Sequence, residues 1–345
     1  MKRRIFLQSI AAASLSPLVA RAAAPELPAQ YSGADRMQRL VAGAKKEGFL
    51  NLYSSAITEH MNVVIAGFQK QYGVKVRLWR GGSEEILQRA VTEARGRRFD
   101  LDVVETASPQ IIAMGREKLL TPVATPVAAE LMRDAIIPGE PWLPARIVLF
   151  TGAYNTNAVK KADLPKTYAD LANPKWKGKL GIEADDNNWL MALCTALGEQ
   201  QGLALLQKIV VTNGLSVRKG HTLMANLVAS GEVPMGLTIY YHEVEPLKRS
   251  GAPIDELNLS PMFAFATGAG VARNAPHPNA AVLFHDYLLT DGQKILADQS
   301  NVPANVKYQR LPAGTQLSFF DVPKYMGESA KWTKAYKEIL ARQVR

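Results

Sequence analysis

Hydrophobic residues follow two different periodicities along residues 49–80. The segments FLNLYSS, from 49 to 55, and VKVRLWR, from 74 to 80, have the apolar content of strands. Between them, apolar residues recur at the spacing of a helix: Met61, Val64, Ile65, Phe68 and Tyr72. A further strand is predicted at 99–104, so we expect a parallel sheet with helical crossovers. The carboxyl ends of its strands would share the edge where such sheets bind ligands.

A second helix is predicted before the strand at 99–104. Ser83, which follows Gly81 and Gly82, is expected to be the N-cap, and Glu84 with Glu85 would suit the positive end of the helix dipole. Its apolar stripe is Ile86, Leu87, Ala90, Val91 and Ala94.

The alternation of strands and helices resumes in the second half of the chain. Strands are predicted at 146–150, 179–183, 215–218 and 233–241, and the helices between them at 189–197, 203–211 and 222–229. Because a mature chain of about 320 residues exceeds the usual single core, we expect two α/β lobes that border a cleft.

The two lobes are expected to be discontinuous in sequence. The first would comprise residues 27–145 plus 257–305, and the second would comprise 146–256 plus 306–345. Strands near 146–150 and 257–265 would then form the hinge on which the lobes close around a ligand.

Residues 1–22 have the features of an export signal. Arg3 and Arg4 precede Phe6 and Leu7, a pattern that resembles the twin-arginine export motif, and the stretch ends in a small-x-small cleavage pattern at 20–22. A general secretory peptide is the alternative. Either route predicts a periplasmic protein.

Composition narrows the function classes. The net charge of +10 falls to +6 once the four basic residues of the signal are removed, and no basic stripe or nucleic-acid-binding module occurs, so no nucleic-acid partner is expected. Cys194 is the single cysteine, which excludes an intrachain disulfide and a lipid-bearing cysteine at the cleavage site. No later stretch has the roughly 18 apolar residues of a membrane span.

Several segments resemble a known family. YSSAITEH, TYADLANPKWKGKLGI, VRKGHTLMANLVASGEVPMG and GVARNAPHPNAAVLFHDYLLTDGQKILAD are similar to family 1 extracellular solute-binding proteins of ABC importers, in the branch that includes ferric-iron binders. The resemblance implies an α/β, two-lobed periplasmic-binding-protein fold of the venus-flytrap, type II kind. It also implies a receptor that delivers its solute to an inner-membrane permease. A monomer is expected.

The same resemblance points to a candidate metal site at Tyr240, Tyr241 and His242. Iron binders of the branch carry two adjacent tyrosines here, and phenolate oxygens suit the hard Fe(III) ion. A gapless match places the pair on Tyr241 and His242, whereas a shift of one residue places it on Tyr240 and Tyr241. Alternatively, the strand directs one tyrosine into the core and the other against the solute as an aromatic wall.

The first lobe departs from the iron-binding pattern. The histidine and the glutamate that the branch often carries there are matched by Ile57 and Ala107, and Glu105 lies two residues too early. His60 and Glu59 are expected to be solvated surface residues. Such a site would complete its coordination with an anion or water.

Candidate contacts for an anion lie mainly in the second lobe. Arg218 and His221 could bind a carboxylate or phosphate, and Trp189 beside Asp186 could stack on an organic solute, although each also suits an ordinary structural role. Asp185 and Asp186 would repel phosphate unless they cap a helix. The predicted ligand-binding set is completed by residues at strand ends of the first lobe and at the start of the crossover strand: Ser54, Ser55, Gly82, Glu105 and Arg146.

Two ligand classes therefore stay open for a solute-binding receptor. Ferric iron or a ferric chelate, with a synergistic anion, is the preferred interpretation, and a phosphorylated or carboxylated organic solute is the alternative. An exported enzyme is the remote alternative, since no nucleophile–base pair or metal triad has a useful spacing. No catalytic cofactor is expected.

Overall fold

The structure is a computed structural model that describes residues 28–311 and 315–342. The predicted export signal at 1–22 lies outside this part of the chain. The helices are α1 (Arg36–Glu47), α2 (Thr58–Tyr72), α3 (Ser83–Arg95), α4 (Ser108–Arg116), α5 (Asn187–Leu197), α6 (Glu199–Asn213), α7 (His221–Ser230), α8 (Tyr241–Arg249), α9 (Pro278–Leu288), α10 (Asp291–Asp298) and α11 (Val322–Leu340). The strands are β1 (Phe49–Ser54), β2 (Lys75–Arg80), β3 (Val103–Ala107), β4 (Leu120–Thr121), β5 (Leu143–Asn155), β6 (Leu180–Glu183), β7 (Ser216–Arg218), β8 (Met235–Tyr240), β9 (Ile254–Leu257), β10 (Met262–Ala272), β11 (Val302–Pro303) and β12 (Leu317–Phe319).

One long strand, β5, belongs to the sheets of both lobes. The main strand order is β2-β1-β3-β10-β5-β8-β6-β7. The first part of β5 pairs with β10, and its last residues, from Phe150 onward, pair with β8 and β9. The chain also passes between the sheets from β9 to β10, in the region where the sequence predicts a hinge. These two neighbouring segments connect the lobes.

The sheet is mixed, so the expectation of a purely parallel sheet is wrong. β1 is parallel to β2 and β3, and β6 is parallel to β7 and β8. β10 is antiparallel to both β3 and β5, and β5 is antiparallel to β8. The antiparallel pairs arise where the chain leaves one lobe on β5 and returns to it on β10.

The third strand is shifted by about four residues from its predicted position at 99–104. Phe99 is 42 % exposed, and β3 starts only at Val103. Asp102 lies before the strand and not within it. It is buried and accepts hydrogen bonds from the backbone N–H groups of Asn51 and His277. The shift matters for the site, because it brings Glu105 into the buried interior of β3.

The second helix also begins one residue earlier than expected. Gly82, rather than Ser83, holds the N-cap position of α3, and Ser83 is its first helical residue. The Gly82 N–H donates to Oε2 of Glu85 at 2.8 Å. A carboxylate in the first turn therefore accepts from the N-cap N–H group, at the helix start where Ser83 was predicted to be the cap.

A continuous apolar core runs through the region that joins the lobes. It extends from Val104 in β3 through Phe150 and Phe265 to Trp189 in α5 and Trp332 in α11. β12 pairs with β10 in the first sheet, whereas α11 packs on α5 and α6 of the second lobe. The C-terminal chain therefore changes lobes near Phe319. None of the helices in the described part of the chain combines the length and the apolar character of a membrane-spanning segment.

Candidate functional site

A buried ion pair forms the first-lobe side of the candidate site. Arg146, near the start of β5, donates from Nε and Nη2 to Oε1 of Glu105 in β3, at 3.2 and 2.8 Å. Ser54, the last residue of β1, donates from Oγ to the other oxygen of Glu105 at 2.7 Å. Glu105 and Ser54 are fully buried and Arg146 is 7 % exposed. Three strands of the first-lobe sheet, β1, β3 and β5, thus contribute to one polar group.

The charge of Glu105 is stabilised in place. Burial alone would raise the pKa of its carboxyl, but Arg146 and the hydrogen bonds that it accepts hold that pKa below its ordinary value. Glu105 is therefore ionised and fully engaged by Arg146 and Ser54. It is not free to bind a ligand without breaking this pair.

His60 belongs to the same group, which contradicts the expectation of a solvated surface residue. It lies in the first turn of α2, is only partly exposed, and has its Nδ1 3.1 Å from Nδ2 of Asn301. Asn301 also accepts a hydrogen bond from Nη1 of Arg146 at 3.2 Å. Burial and the nearby Arg146 lower the pKa of His60, so its imidazole is neutral. Glu59 is exposed, as expected.

Three aromatic rings form the second-lobe side. His221 in α7 stacks on Tyr240 at the end of β8, with ring centroids 3.7 Å apart, and His242 in α8 stacks beside Tyr240 at 5.5 Å. Phe150 packs against Tyr240 with a centroid distance of 5.1 Å. Phe265 of β10 contacts Tyr240 edge-on, so a first-lobe strand supports this ring as well.

Two carboxylates, those of Glu183 and Asp186, lie close to His221. Asp186 Oδ1 lies 3.3 Å from Nε2 of His221, and one ligand atom from each of Glu183, Asp186 and His221 lies within 4.8 Å of the others. Oδ2 of Asp186 is buried and has no hydrogen-bond partner among the described residues. Part of the hydrogen-bonding capacity of Glu183 is used, because its Oε1 accepts from the Gly220 N–H at 2.9 Å.

The protonation states of the rings follow from these neighbours. Burial would lower the pKa of His221, but Asp186 and Glu183 raise it above its ordinary value. Burial and the carboxylates Asp186 and Glu183 raise the pKa of the Tyr240 phenol well above 10. Burial and the positive field of Arg146 lower the pKa of His242 to about 3, so this imidazole is neutral at physiological pH.

The second-lobe group can therefore offer hard oxygen atoms and neutral nitrogen to a cation. Carboxylate and phenol oxygens suit hard metal ions, and imidazole nitrogen suits several transition metals. The surplus negative charge of Glu183 and Asp186 opposes a bare anion and opposes ionisation of Tyr240. A bound cation would reverse both effects, because it attracts the carboxylates and stabilises a phenolate.

The family is shown by a comparison with protein-family models. The model described as bacterial extracellular solute-binding protein matches residues 54–295. This chain belongs to that family. Among the relatives of this solute-binding protein is the Fe(3+)-binding periplasmic protein of Serratia marcescens, which is 28% identical over 254 residues, covering 69% of this chain and 74% of the relative.

Solved structures agree with the fold of this solute-binding protein. Iron-bound HitA from Pseudomonas aeruginosa matches with a TM-score of 0.72 and 22% identity, covering 84% of this chain and 99% of HitA. AfuA from Actinobacillus pleuropneumoniae, with fructose-6-phosphate bound, matches with a TM-score of 0.65 and 21% identity, covering 86% of this chain and 97% of AfuA. Similarity at this level of identity establishes the two-lobed, type II fold.

Some residues predicted for the site lie elsewhere in this solute-binding protein. Tyr241 begins α8, and its side chain packs against the first-lobe core, whereas the ring of Tyr240 packs against Phe150 and Phe265. Trp189 is 1 % exposed and packs against Phe263 and Tyr168 in the core, so it cannot form an open stacking wall.

Arg218 is exposed, unlike the largely buried His221. Its side chain is 43 % exposed, and its Nη2 is 3.9 Å from Oε1 of Glu232. Gly82 and Ser55 lie at the first-lobe edge, where the Ser55 N–H donates to the Glu105 carbonyl at 3.0 Å. Asp186 holds the N-cap position of α5, although its side chain makes no capping hydrogen bond.

Sequence reasoning did not single out three residues that the structure brings to the site: Asn301, Glu183 and Phe150. Glu183 ends the predicted strand at 179–183, so its position at a strand end was a usable signal. Asn301 lies more than 150 residues from Arg146 in the chain, and no local pattern identifies it.

Proposed function

We propose that this solute-binding protein is the periplasmic receptor of an ABC importer and that its cargo is ferric iron, taken up as a chelate or with a synergistic anion. In this proposal the twin-arginine signal at residues 1–22 directs export, the mature chain acts as a monomer, and an inner-membrane permease receives the cargo. The family supports the receptor role, and the site supports the choice of cargo.

The observation that carries the choice of iron is the cluster of Tyr240, His221 and two carboxylates. Asp186 keeps a buried oxygen without a partner among the described residues, next to a histidine and a carboxylate within ligand distance of one another. An unpaired buried oxygen is costly unless a cation or donor satisfies it. The hard character of these oxygens matches Fe(III).

The names of relatives support the same choice. The Serratia marcescens relative is named as an Fe(3+)-binding protein, and the HitA structure is iron-bound. Our proposal differs from a two-tyrosine site, because Tyr241 points away from Tyr240. Tyr240 would supply one phenolate, and Asp186, Glu183 and His221 would supply further ligands. Oxygens of the chelator or anion would complete the coordination.

Metal analysis and visible absorption of the purified mature protein test this proposal. Iron–phenolate coordination gives a visible charge-transfer band, so the protein loaded with ferric citrate should be coloured and should contain one iron per chain. Tyr240→Phe keeps the ring but removes the oxygen, and should abolish the band and weaken iron binding strongly. Tyr241→Phe is the matched control and should keep both. A colourless, iron-free wild type after loading would refute the proposal.

A second candidate is an anionic organic solute, the alternative that the sequence left open. The AfuA structure with fructose-6-phosphate supports it. So does the separation of the Tyr241 side chain from that of Tyr240, because a two-tyrosine iron site needs both. Arg146 and a protonated His221 would then bind the anion. Calorimetry with fructose 6-phosphate, in iron-free buffer, distinguishes the candidates, because only the organic solute would bind without metal.

We also propose the two lobes as the working units of this receptor, with residues 27–145 plus 257–305 in the first and 146–256 plus 306–345 in the second. The pairing of β12 with β10 supports moving the last boundary to about residue 320. β5 and the segment between β9 and β10 would be the hinge. Closure about this hinge would bring His60 and Arg146 toward the Tyr240 group.

A further inference from the structure

Asn301 connects the first-lobe ion pair to His60. It is 6 % exposed and lies between α10 and β11. Its Oδ1 is 3.2 Å from Nη1 of Arg146, and its Nδ2 is 3.1 Å from Nδ1 of His60 and 3.2 Å from the carbonyl of Gln299. All three contacts are within hydrogen-bond distance.

The chemistry of two of these neighbours determines how the amide of Asn301 is oriented. A guanidinium can only donate hydrogen bonds, so the atom that faces Arg146 must be the amide oxygen. A backbone carbonyl can only accept, so the atom that faces Gln299 must be the amide nitrogen. Both constraints give the same orientation, and the reversed amide would violate both.

This orientation determines the tautomer of His60. The amide nitrogen of Asn301 carries only donors, so Nδ1 of His60 must accept from it and must hold a lone pair rather than a proton. In a neutral imidazole the proton is then on Nε2. Neutrality is supported by the lowered pKa of His60, caused by burial and Arg146.

The surroundings of His60 limit what its Nε2–H can bind. His60 lies in the first turn of α2, just past the carboxyl end of β1, where the charges of Arg146 and Glu59 act on it. A positive charge on His60 would also act on His242 of the second lobe. The oxygens of Glu105 are already used by Arg146 and Ser54.

We infer that His60 is a hydrogen-bond donor to an anionic oxygen of the ligand and that it is not a metal ligand. A histidine that ligates through Nε2 must present a lone pair there, and the amide of Asn301 excludes this for neutral His60. The inference deepens the proposed function: the cargo would present a carboxylate or phosphate oxygen to the first lobe while the second lobe binds the iron. Asn301 would be a positioning residue that acts through His60.

Nitrogen NMR of the ligand-free protein tests the tautomer without any cargo. The sequence contains five histidines, so the ring nitrogens of protein labelled at histidine can be resolved and those of His60 assigned from the His60→Gln variant. We expect an unprotonated Nδ1 and a protonated Nε2 at His60. Asn301→Asp replaces the donor with an acceptor and should move the proton to Nδ1. A wild type that already carries the proton on Nδ1 would overturn the inference.

Binding of ferric citrate to two His60 variants tests the donor role. The glutamine amide can place a donor near the position of Nε2–H, whereas leucine cannot donate. His60→Leu should weaken binding by about 10- to 100-fold, the effect of losing a hydrogen bond to a charged group, and His60→Gln should recover most of it. The exposed neighbour variant Glu59→Gln is the control and should bind like wild type.

The two alternatives have opposite results. Equal, large losses in the glutamine and leucine variants would mean that the ring itself ligates iron, and no loss in either would mean that His60 does not contact the ligand; both results would overturn the inference. If the wild type fails to bind ferric citrate, the proposed cargo is wrong. The same pair of variants, compared with fructose 6-phosphate, and the NMR result would then still decide the role of His60.

Discussion

The imidazole of His221 stacks on the phenol ring of Tyr240, with centroids 3.7 Å apart and 28° between the ring planes. Asp186 lies at the edge of this imidazole, with 3.3 Å between its Oδ1 and Nε2 of His221. A protonated His221 would thus be stabilised by a carboxylate at its edge and by the π-face of Tyr240. The arrangement links the charge of Asp186 to the ring that we propose as an iron ligand.

Asp186→Asn should change the titration of His221. Burial lowers the pKa of His221 and the carboxylates raise it, so loss of the Asp186 charge leaves burial as the larger effect. We expect the pKa of His221 to fall from above its ordinary value toward or below it, as measured by NMR of the histidine ring protons. Asp185→Asn is the control, because the Asp185 side chain is 51 % exposed and pairs with Lys219. An unchanged His221 pKa in Asp186→Asn would contradict this account.

The order of the fold's elements could be predicted from the sequence because it depends on local periodicity. The strands predicted at 49–55 and 74–80 agree with the structure to within one residue, and the helix indicated by the spacing from Met61 to Tyr72 begins three residues earlier, at Thr58. The strand predicted at 99–104 was misplaced because Phe99 looks like a strand residue but is exposed in the fold. Strand direction could not be predicted, because the antiparallel course of β10 depends on the chain crossing between lobes.

The directions of the side chains in the site could not be predicted from the pattern of hydrophobic and polar residues. Tyr240 and Tyr241 are adjacent in sequence, but one ends a strand and the other begins a helix, so the two rings diverge. Whether Trp189 lines the cleft or the core depends on its packing against Phe263 from another lobe. The contact between Asn301 and His60 joins residues 241 positions apart, and only the folded structure reveals it.

Glu105→Gln should destabilise the protein strongly. It leaves the guanidinium of Arg146 buried without its anionic partner, at a cost of about 3–5 kcal/mol in the free energy of unfolding. Urea denaturation measures this cost. The double variant Glu105→Gln/Arg146→Met should recover much of it, because no unpaired charge is left. Lys331→Met, which breaks an exposed pair with Glu199, should change stability far less.

Acid should remove the stabilising effect of Glu105. Its pKa is lower in the folded protein than its ordinary value of 4.5, so the unfolded chain binds a proton first as the pH falls. The stabilisation is therefore complete above about pH 5.5 and is lost as the pH falls below 4.5 through the folded pKa, at up to about 1.4 kcal/mol per pH unit. Unfolding measured from pH 6 to pH 3 should show this slope in the wild type. The Glu105→Gln/Arg146→Met variant should show a smaller slope, and an equal slope would rule out Glu105 as its source.

Ligand binding should make the molecule more compact. If one cargo contacts both His60 and Tyr240, closure about β5 and the segment between β9 and β10 is the expected response. Small-angle scattering should give a smaller radius of gyration with saturating ferric citrate than without it. Tyr240→Phe, which should not retain the iron, serves as the control for nonspecific effects of citrate. The same radius for the loaded and ligand-free wild type would argue against closure.

Trp189→Ala should lower stability without acting specifically on the ligand. Trp189 is 1 % exposed and contacts Tyr168 and Phe263, so the substitution leaves a large cavity and should cost about 3–5 kcal/mol. Trp189→Phe keeps an aromatic ring in the core and should cost less. Under conditions where each variant is folded, as judged by circular dichroism, its affinity for ferric citrate or fructose 6-phosphate should equal that of the wild type. If Trp189→Phe, while fully folded, lost affinity for either ligand, Trp189 would instead line the cleft, as the sequence alone allowed.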